Sequence, residues 1–76
     1  MPRFYFDVRA GAESMPDPEG LELDGLEAAE HEATQTVLTL GRDWLPCLRE
    51  ICVEVRDEQH RLRLSLSVAL TVAYFE

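Results

Sequence analysis

Residues 3–9 alternate between two sides. Phe4, Phe6 and Val8 fall on one side and Arg3, Tyr5, Asp7 and Arg9 on the other, a period of two that predicts a half-buried β-strand. Gly11 breaks the pattern, and Met15-Pro16-Asp17-Pro18-Glu19-Gly20 is turn chemistry. Leu21 and Leu23 bracket Glu22 and predict a short second strand folded back on the first. Asp24, with Glu27 three residues on, forms a capping-box pattern that opens a helix, with Leu23 placed to staple onto Ala28. At 100° per residue Leu26, Ala33, Val37, Leu40 and Trp44 fall in one stripe, with Ala29 at its edge. The helix ends at Gly41 or runs on to Trp44, and Pro46 stops it in either case.

A second alternation comes after the helix. Ile51, Val53 and Val55 interleave with Cys52, Glu54 and Arg56, and Leu62, Leu64 and Leu66 interleave with Arg61, Arg63 and Ser65. Asp57-Glu58-Gln59-His60 is the turn between them. Pairing residue 56 with 61 sets Val55 against Leu62, Val53 against Leu64, Ile51 against Leu66 and Glu54 against Arg63. The element order is therefore β-β-α-β-β: an α+β domain over residues 1–76, an antiparallel sheet with one helix packed on one face. Its expected core is Phe4, Phe6, Val8, Leu26, Ala33, Val37, Leu40, Ile51, Val53, Val55, Leu62 and Leu64.

Length adds one constraint. A domain of 76 residues buries only about 60% of the surface its unfolded chain exposes, so its stability is thin. Charge adds another. The net charge is −8, which favours solubility and argues against broad affinity for nucleic acid or membranes. The excess is local: residues 13–32 hold Glu13, Asp17, Glu19, Glu22, Asp24, Glu27, Glu30 and Glu32 and no base. All seven bases are arginine, so every cation can form planar, bidentate pairs. No window offers the roughly 18 consecutive apolar residues of a membrane span. The N-terminus lacks the basic start and apolar run of a signal peptide, so a cytoplasmic location is expected.

Met-Pro-Arg-Phe-Tyr-Phe-Asp at the start, Pro16 to Leu23, Leu26 to Ala29 and Val53 to Glu58 together resemble a small proteobacterial family whose domain has no assigned function. The resemblance covers most of the chain and departs at Pro46, Cys47 and the apolar C-terminal stretch. It implies a bacterial source and the β-β-α-β-β plan, and no activity or site residue. The Pro- and Gly-marked strand before an acidic helix is also similar, at the level of fold alone, to HicB-type antitoxin domains.

Catalytic and metal chemistry find little support. His31 lies on the helix flank and His60 in a turn, no serine sits in a nucleophile elbow, and no Gly-rich loop precedes a helix. Cys47 and Cys52 do not have the Cys-x-x-Cys spacing of zinc or redox sites, and with His60 they need not converge, so both are expected to be reduced thiols. Asp17, Glu19 and Glu22 lack the spacing of a calcium loop, and the acidic stretch reads as a solvated face. No cofactor and no catalytic residue is expected.

Two features point to partners. The outer sheet face is expected to present Arg3, Tyr5, Arg9, Arg56, Arg61 and Arg63, an arrangement suited to anions or single-stranded RNA. Asp7, Glu54 and Asp57 can neutralise several of these arginines, which weighs against RNA. The tail Val68-Ala-Leu-Thr-Val-Ala-Tyr-Phe75 is apolar but for Thr71 and has no solvent face. It either packs back over the domain or extends the last strand and pairs with a second copy; a homodimer with Leu70, Val72, Tyr74 and Phe75 as contacts is expected. The expected role is a non-catalytic interaction or regulatory module. The alternative is an antitoxin-like protein that masks a basic partner protein with its acidic helix side.

Overall fold

The first alternating segment forms strand β1 (Arg3–Ala10), and the second pair forms β4 (Glu50–Arg56) and β5 (Leu62–Ala69). Between them lie β2 (Glu13–Met15), β3 (Leu21–Glu22) and helix α1 (Leu26–Trp44). The computed structural model describes residues 1–45 and 49–75. Pro46 and Cys47, named above as helix stop and free thiol, lie outside the described residues. The fold is α+β: one helix on an open, antiparallel, five-stranded sheet.

β1 is the organising strand. One edge pairs with β4 from Tyr5↔Arg56 to Ala10↔Ile51. The other edge is shared end to end by β2, at Val8 to Ala10, and β3, at Arg3 and Phe4. β2 is an addition to the plan read from sequence. Gly11 makes it possible: its φ of 62° gives a first turn position of the sign that a tight hairpin between Ala10 and Glu13 requires. β4 carries β5 on its far side, which gives the order β2-β1-β4-β5.

The core lies between α1 and the inner sheet face. Phe4, Ala10, Ile51, Val53 and Val55 from the sheet are buried with Ala29, Ala33 and Val37 from the helix. Phe6, Val8, Leu23, Leu40, Trp44, Leu64, Leu66 and Val68 pack around them, half-buried. Small residues at Ala29, Ala33 and Gly41 let the helix backbone approach the strands closely, which is why alanines rather than leucines are the fully covered helical positions.

Four expectations are corrected. Leu26 is not core: it is the first helical residue, at the mouth of the helix–sheet layer, and is 37% exposed. Leu62 is 50% exposed because the hairpin register differs from the expected one. Val55 pairs with Leu64 and Arg56 with Leu62, so Arg63 is an extra residue in a bulge and Glu54 faces Ser65 instead of Arg63. The cause is the turn. Asp57 N–H donates to Arg61 O, and His60 takes a left-handed φ of 64°, which closes a three-residue loop, Glu58 to His60, one residue shorter than the four-residue turn expected. Finally, the helix N-cap is Gly25, with no side-chain cap hydrogen bond, so the Asp24–Glu27 capping box does not form. Leu23 N–H donates to Pro2 O at 3.0 Å, holding the chain extended through Leu23 and moving the helix start one residue on. At its other end the helix runs through Gly41 to Trp44, and Leu45 N–H donates to Gly41 O.

Candidate functional site

The outer sheet face is an ion-pair chain more than a free basic surface. Arg9 pairs with Glu54 at 3.6 Å, and Arg56 pairs with Glu54 at 3.7 Å and with Asp7 at 3.4 Å. Arg3 pairs with Glu22 at 3.5 Å and donates from Nη1 to Glu19 O at 2.7 Å. Pairs that solvent still reaches contribute little to stability, about 0–1 kcal/mol, but together these commit three of the arginines named for anion binding to intramolecular partners. Tyr5 is flanked as well: its ring lies 6.3 Å from that of His60, and its Cε2 sits 2.9 Å from where a Cβ on Gly20 would be.

Arg61 and Arg63 do not join that chain. Both converge on Asp57, at 3.0 and 3.5 Å. Asp57 also accepts N–H bonds from Gln59 and Arg61, so one buried carboxylate organises the whole turn. Burial pushes its pKa up, but the N–H groups of Arg61 and Gln59 and the Arg61 guanidinium outweigh it and hold the carboxyl below the usual range.

Asp17 does the equivalent work at the opposite edge. Alternation along β1 turns the backbone groups of Phe4, Phe6, Val8 and Ala10 towards β2 and β3. Phe6 falls in the gap between those two strands, and Asp17 Oδ2 accepts its N–H at 3.2 Å. Asp17 Oδ1 accepts from Glu19 and Gly20, and Asp17 N–H donates to Asp7 Oδ1 at 2.9 Å. Burial opposes its charge; the N–H donors of Gly20, Phe6 and Glu19, with Arg3 nearby, more than offset that and lower its pKa. Hydrophobic spacing singles out neither aspartate for this role. A local signal exists all the same: an aspartate opening a turn, with Gly20 three residues after Asp17, is an Asx-turn pattern.

The remaining surface of interest is the free edge of β5 and the tail beyond it. Leu70 N–H donates to Arg49 O at 2.9 Å, so Leu70, and with it Val68, Leu66 and Leu64, turns its backbone groups towards β4. Ser65, Ser67 and Ala69 therefore aim their N–H and C=O groups away from the sheet, where no described strand meets them. Beyond Leu70 the tail neither packs back nor forms regular structure: Val72 is 52%, Tyr74 93% and Phe75 91% exposed. The radius of gyration, 13.8 Å, exceeds the roughly 11 Å of a compact chain of this length, as an outstretched tail requires. Of the four tail contacts expected from sequence, Leu70 is half-buried against the domain edge, and Val72, Tyr74 and Phe75 are open.

His31 is exposed on α1, and His60 is exposed in the β4–β5 turn. Among the described residues no three His, Cys, Asp or Glu side chains gather as a metal site would need. Cys52 lies on β4 between Arg9 and Ser67; burial first, then Glu54 and Glu50, push its thiol pKa up against the pull of Arg9. No described helix is long and apolar enough to cross a membrane. Comparison with curated proteins and with solved structures gives no match. Residues 3–69, the whole of the sheet and helix, match the family model described as a domain of unknown function (DUF6894), and the chain belongs to that family.

Proposed function

We propose that this chain is a non-catalytic interaction module that associates with a second copy of itself through its C-terminal strand region. The observation that supports this is the free edge of β5 running straight into the exposed apolar residues Val72, Tyr74 and Phe75. A long open edge beside an apolar tail is an aggregation hazard in a protein that works alone, and a ready surface in one that works in pairs. The acidic stretch sits at the other side of the sheet, on β2, β3 and the helix start, so copies meeting at β5 keep their like charges apart. The outer-face arginines are a weaker basis for RNA binding, since Arg3, Arg9 and Arg56 already have carboxylate partners.

Light scattering coupled to size exclusion tests the reading. The expected result is the mass of two chains, with dissociation on dilution. A one-chain mass throughout the concentration range, or capture of a small basic protein in place of a second copy, would replace it, the latter in favour of an antitoxin-like role.

A further inference from the structure

Resting on that reading, we infer the geometry of the pair: two β5 strands meet antiparallel, edge to edge, across a two-fold axis at Ser67. The first ground is hydrogen-bond accounting. Ser65, Ser67 and Ala69 are the residues of β5 beyond the bulge whose backbone groups face outwards. An axis at Ser67 sets Ser67 against its own copy and Ser65 against Ala69 of the second copy, so that all three residues pair with one another in about six backbone bonds. Moving the axis one residue either way leaves an outward residue matched to the bulge at Arg63 or to the tail at Thr71.

The second ground is the placement of apolar surface. Leu62 is half-exposed at the start of β5, and Val72 is half-exposed beyond its end. Within one chain they lie at opposite ends of the strand and cannot cover each other. The two-fold at Ser67 sets Leu64 of each copy beside Leu70 of the other, and brings Leu62, across the bulge at Arg63, to the stretch from Thr71 to Val72 of the other. A parallel or unrelated partner has no reason to match both ends of the strand, whereas a second copy in antiparallel register does so by symmetry. Charge permits the contact: from Leu62 to Phe75 the only charged side chain is Arg63, which is drawn to Asp57 in its own chain. The result is one continuous sheet through both copies, with both helices on the same side.

Proline replaces a backbone donor, and at Ser67 that donor faces outwards, so Ser67→Pro removes no hydrogen bond inside the domain. On the full chain, light scattering over a dilution series should show Ser67→Pro raising the dimer dissociation constant about tenfold or more, with helix content and thermal midpoint close to those of the parent. Ser67→Ala, which keeps the N–H, should leave it unchanged. Val72→Asp, at an exposed tail position, should weaken the pair as well, and it decides the matter if Ser67→Pro does not fold. A pair that persists in folded Ser67→Pro and Val72→Asp alike overturns the edge-to-edge geometry and leaves self-association by another surface. A parent chain that is a monomer at every concentration overturns both.

Discussion

Asp17 Oδ2 accepts the backbone N–H of Phe6 at 3.2 Å, in the gap on β1 between the residues paired by β2 and those paired by β3. One side chain thus replaces a missing strand residue. Removing it strands the Phe6 donor and opens the Asp17–Gly20 turn that delivers the chain to β3. Asp17→Ala is expected to cost about 1–2 kcal/mol, discounted for the partial exposure of the carboxylate, measured as a shift in the urea midpoint at unchanged slope. Asp17→Asn keeps an acceptor and should lose less. An unchanged midpoint in Asp17→Ala would show that water replaces the carboxylate at no loss.

Gly20 closes the same turn with φ of +72°, and a Cβ there would lie 2.9 Å from both Phe4 O and Tyr5 Cε2. The ring can swing aside, but the carbonyl belongs to the β1 ladder. Gly20→Ala should therefore destabilise by more than about 1 kcal/mol, from strain at a left-handed position added to the clash. Gly25 has open space around it and an extended backbone, so Gly25→Ala is the matched control and should change stability far less. Equal losses at the two positions would remove the steric explanation.

Periodicity carries the central strands and the helix because each buries one face against the other. Phe4, Val37, Ile51, Val53 and Val55 can be assigned to the core from spacing alone, and they are there. Spacing does not convey the consequence of a single polar side chain for register. The outer arginines suggest a hairpin in which Glu54 meets Arg63, and the apolar faces agree with that register and with the observed one, since the two differ by an even step across the inner rows. Asp57 decides between them by fixing a three-residue loop, a choice that depends on where its carboxylate meets N–H groups and not on hydrophobicity. Similarly, the Asp24–Glu27 pattern is sound local chemistry, overridden by the tertiary bond from Leu23 to Pro2. The apolar tail is legible as a segment without a solvent face. Its freedom from the domain is not, because that depends on the inner face being already filled by Ala29, Ala33 and Val37.

Asp17 and Asp57 both have folded-state pKa values below the usual carboxylate value of about 3.9. A depressed folded pKa means that the unfolded chain binds protons first as pH falls. The stability these groups supply is therefore complete above about pH 4 and lost as pH drops through their depressed folded values. Thermal midpoints should be level with respect to these two groups from neutral pH to about 5, then fall at more acid pH. Asp57→Asn should lower the midpoint at neutral pH and flatten part of the acid limb, because the group that accepts the Arg61 and Gln59 N–H bonds then no longer titrates. An acid limb as steep in Asp17→Asn and Asp57→Asn as in the parent would assign the acid sensitivity to other carboxylates.

Cys52 offers a direct probe of the outer face. Its thiol is raised by burial and then by Glu54 and Glu50, with Arg9 pulling the other way. Only the thiolate alkylates, so in a Cys47→Ser background, where Cys52 is the sole thiol, iodoacetamide at about pH 8 should react more slowly than with an unstructured cysteine peptide. The neighbouring charges then set opposite expectations. Glu54→Gln removes an acid and leaves Arg9 and Arg56 without their shared partner, so the thiol should become more acidic and the reaction faster. Arg9→Gln removes the cation that favours the thiolate, so the reaction should slow further. If the pairing across β5 holds, dimerisation covers the strand next to Cys52 without touching either charge, and the ordering of the three rates should be the same in Ser67→Pro. Equal rates in the parent, Glu54→Gln and Arg9→Gln would show that burial alone governs the thiol and that the Arg9–Glu54 pair, 3.6 Å apart, is too solvated to act on it.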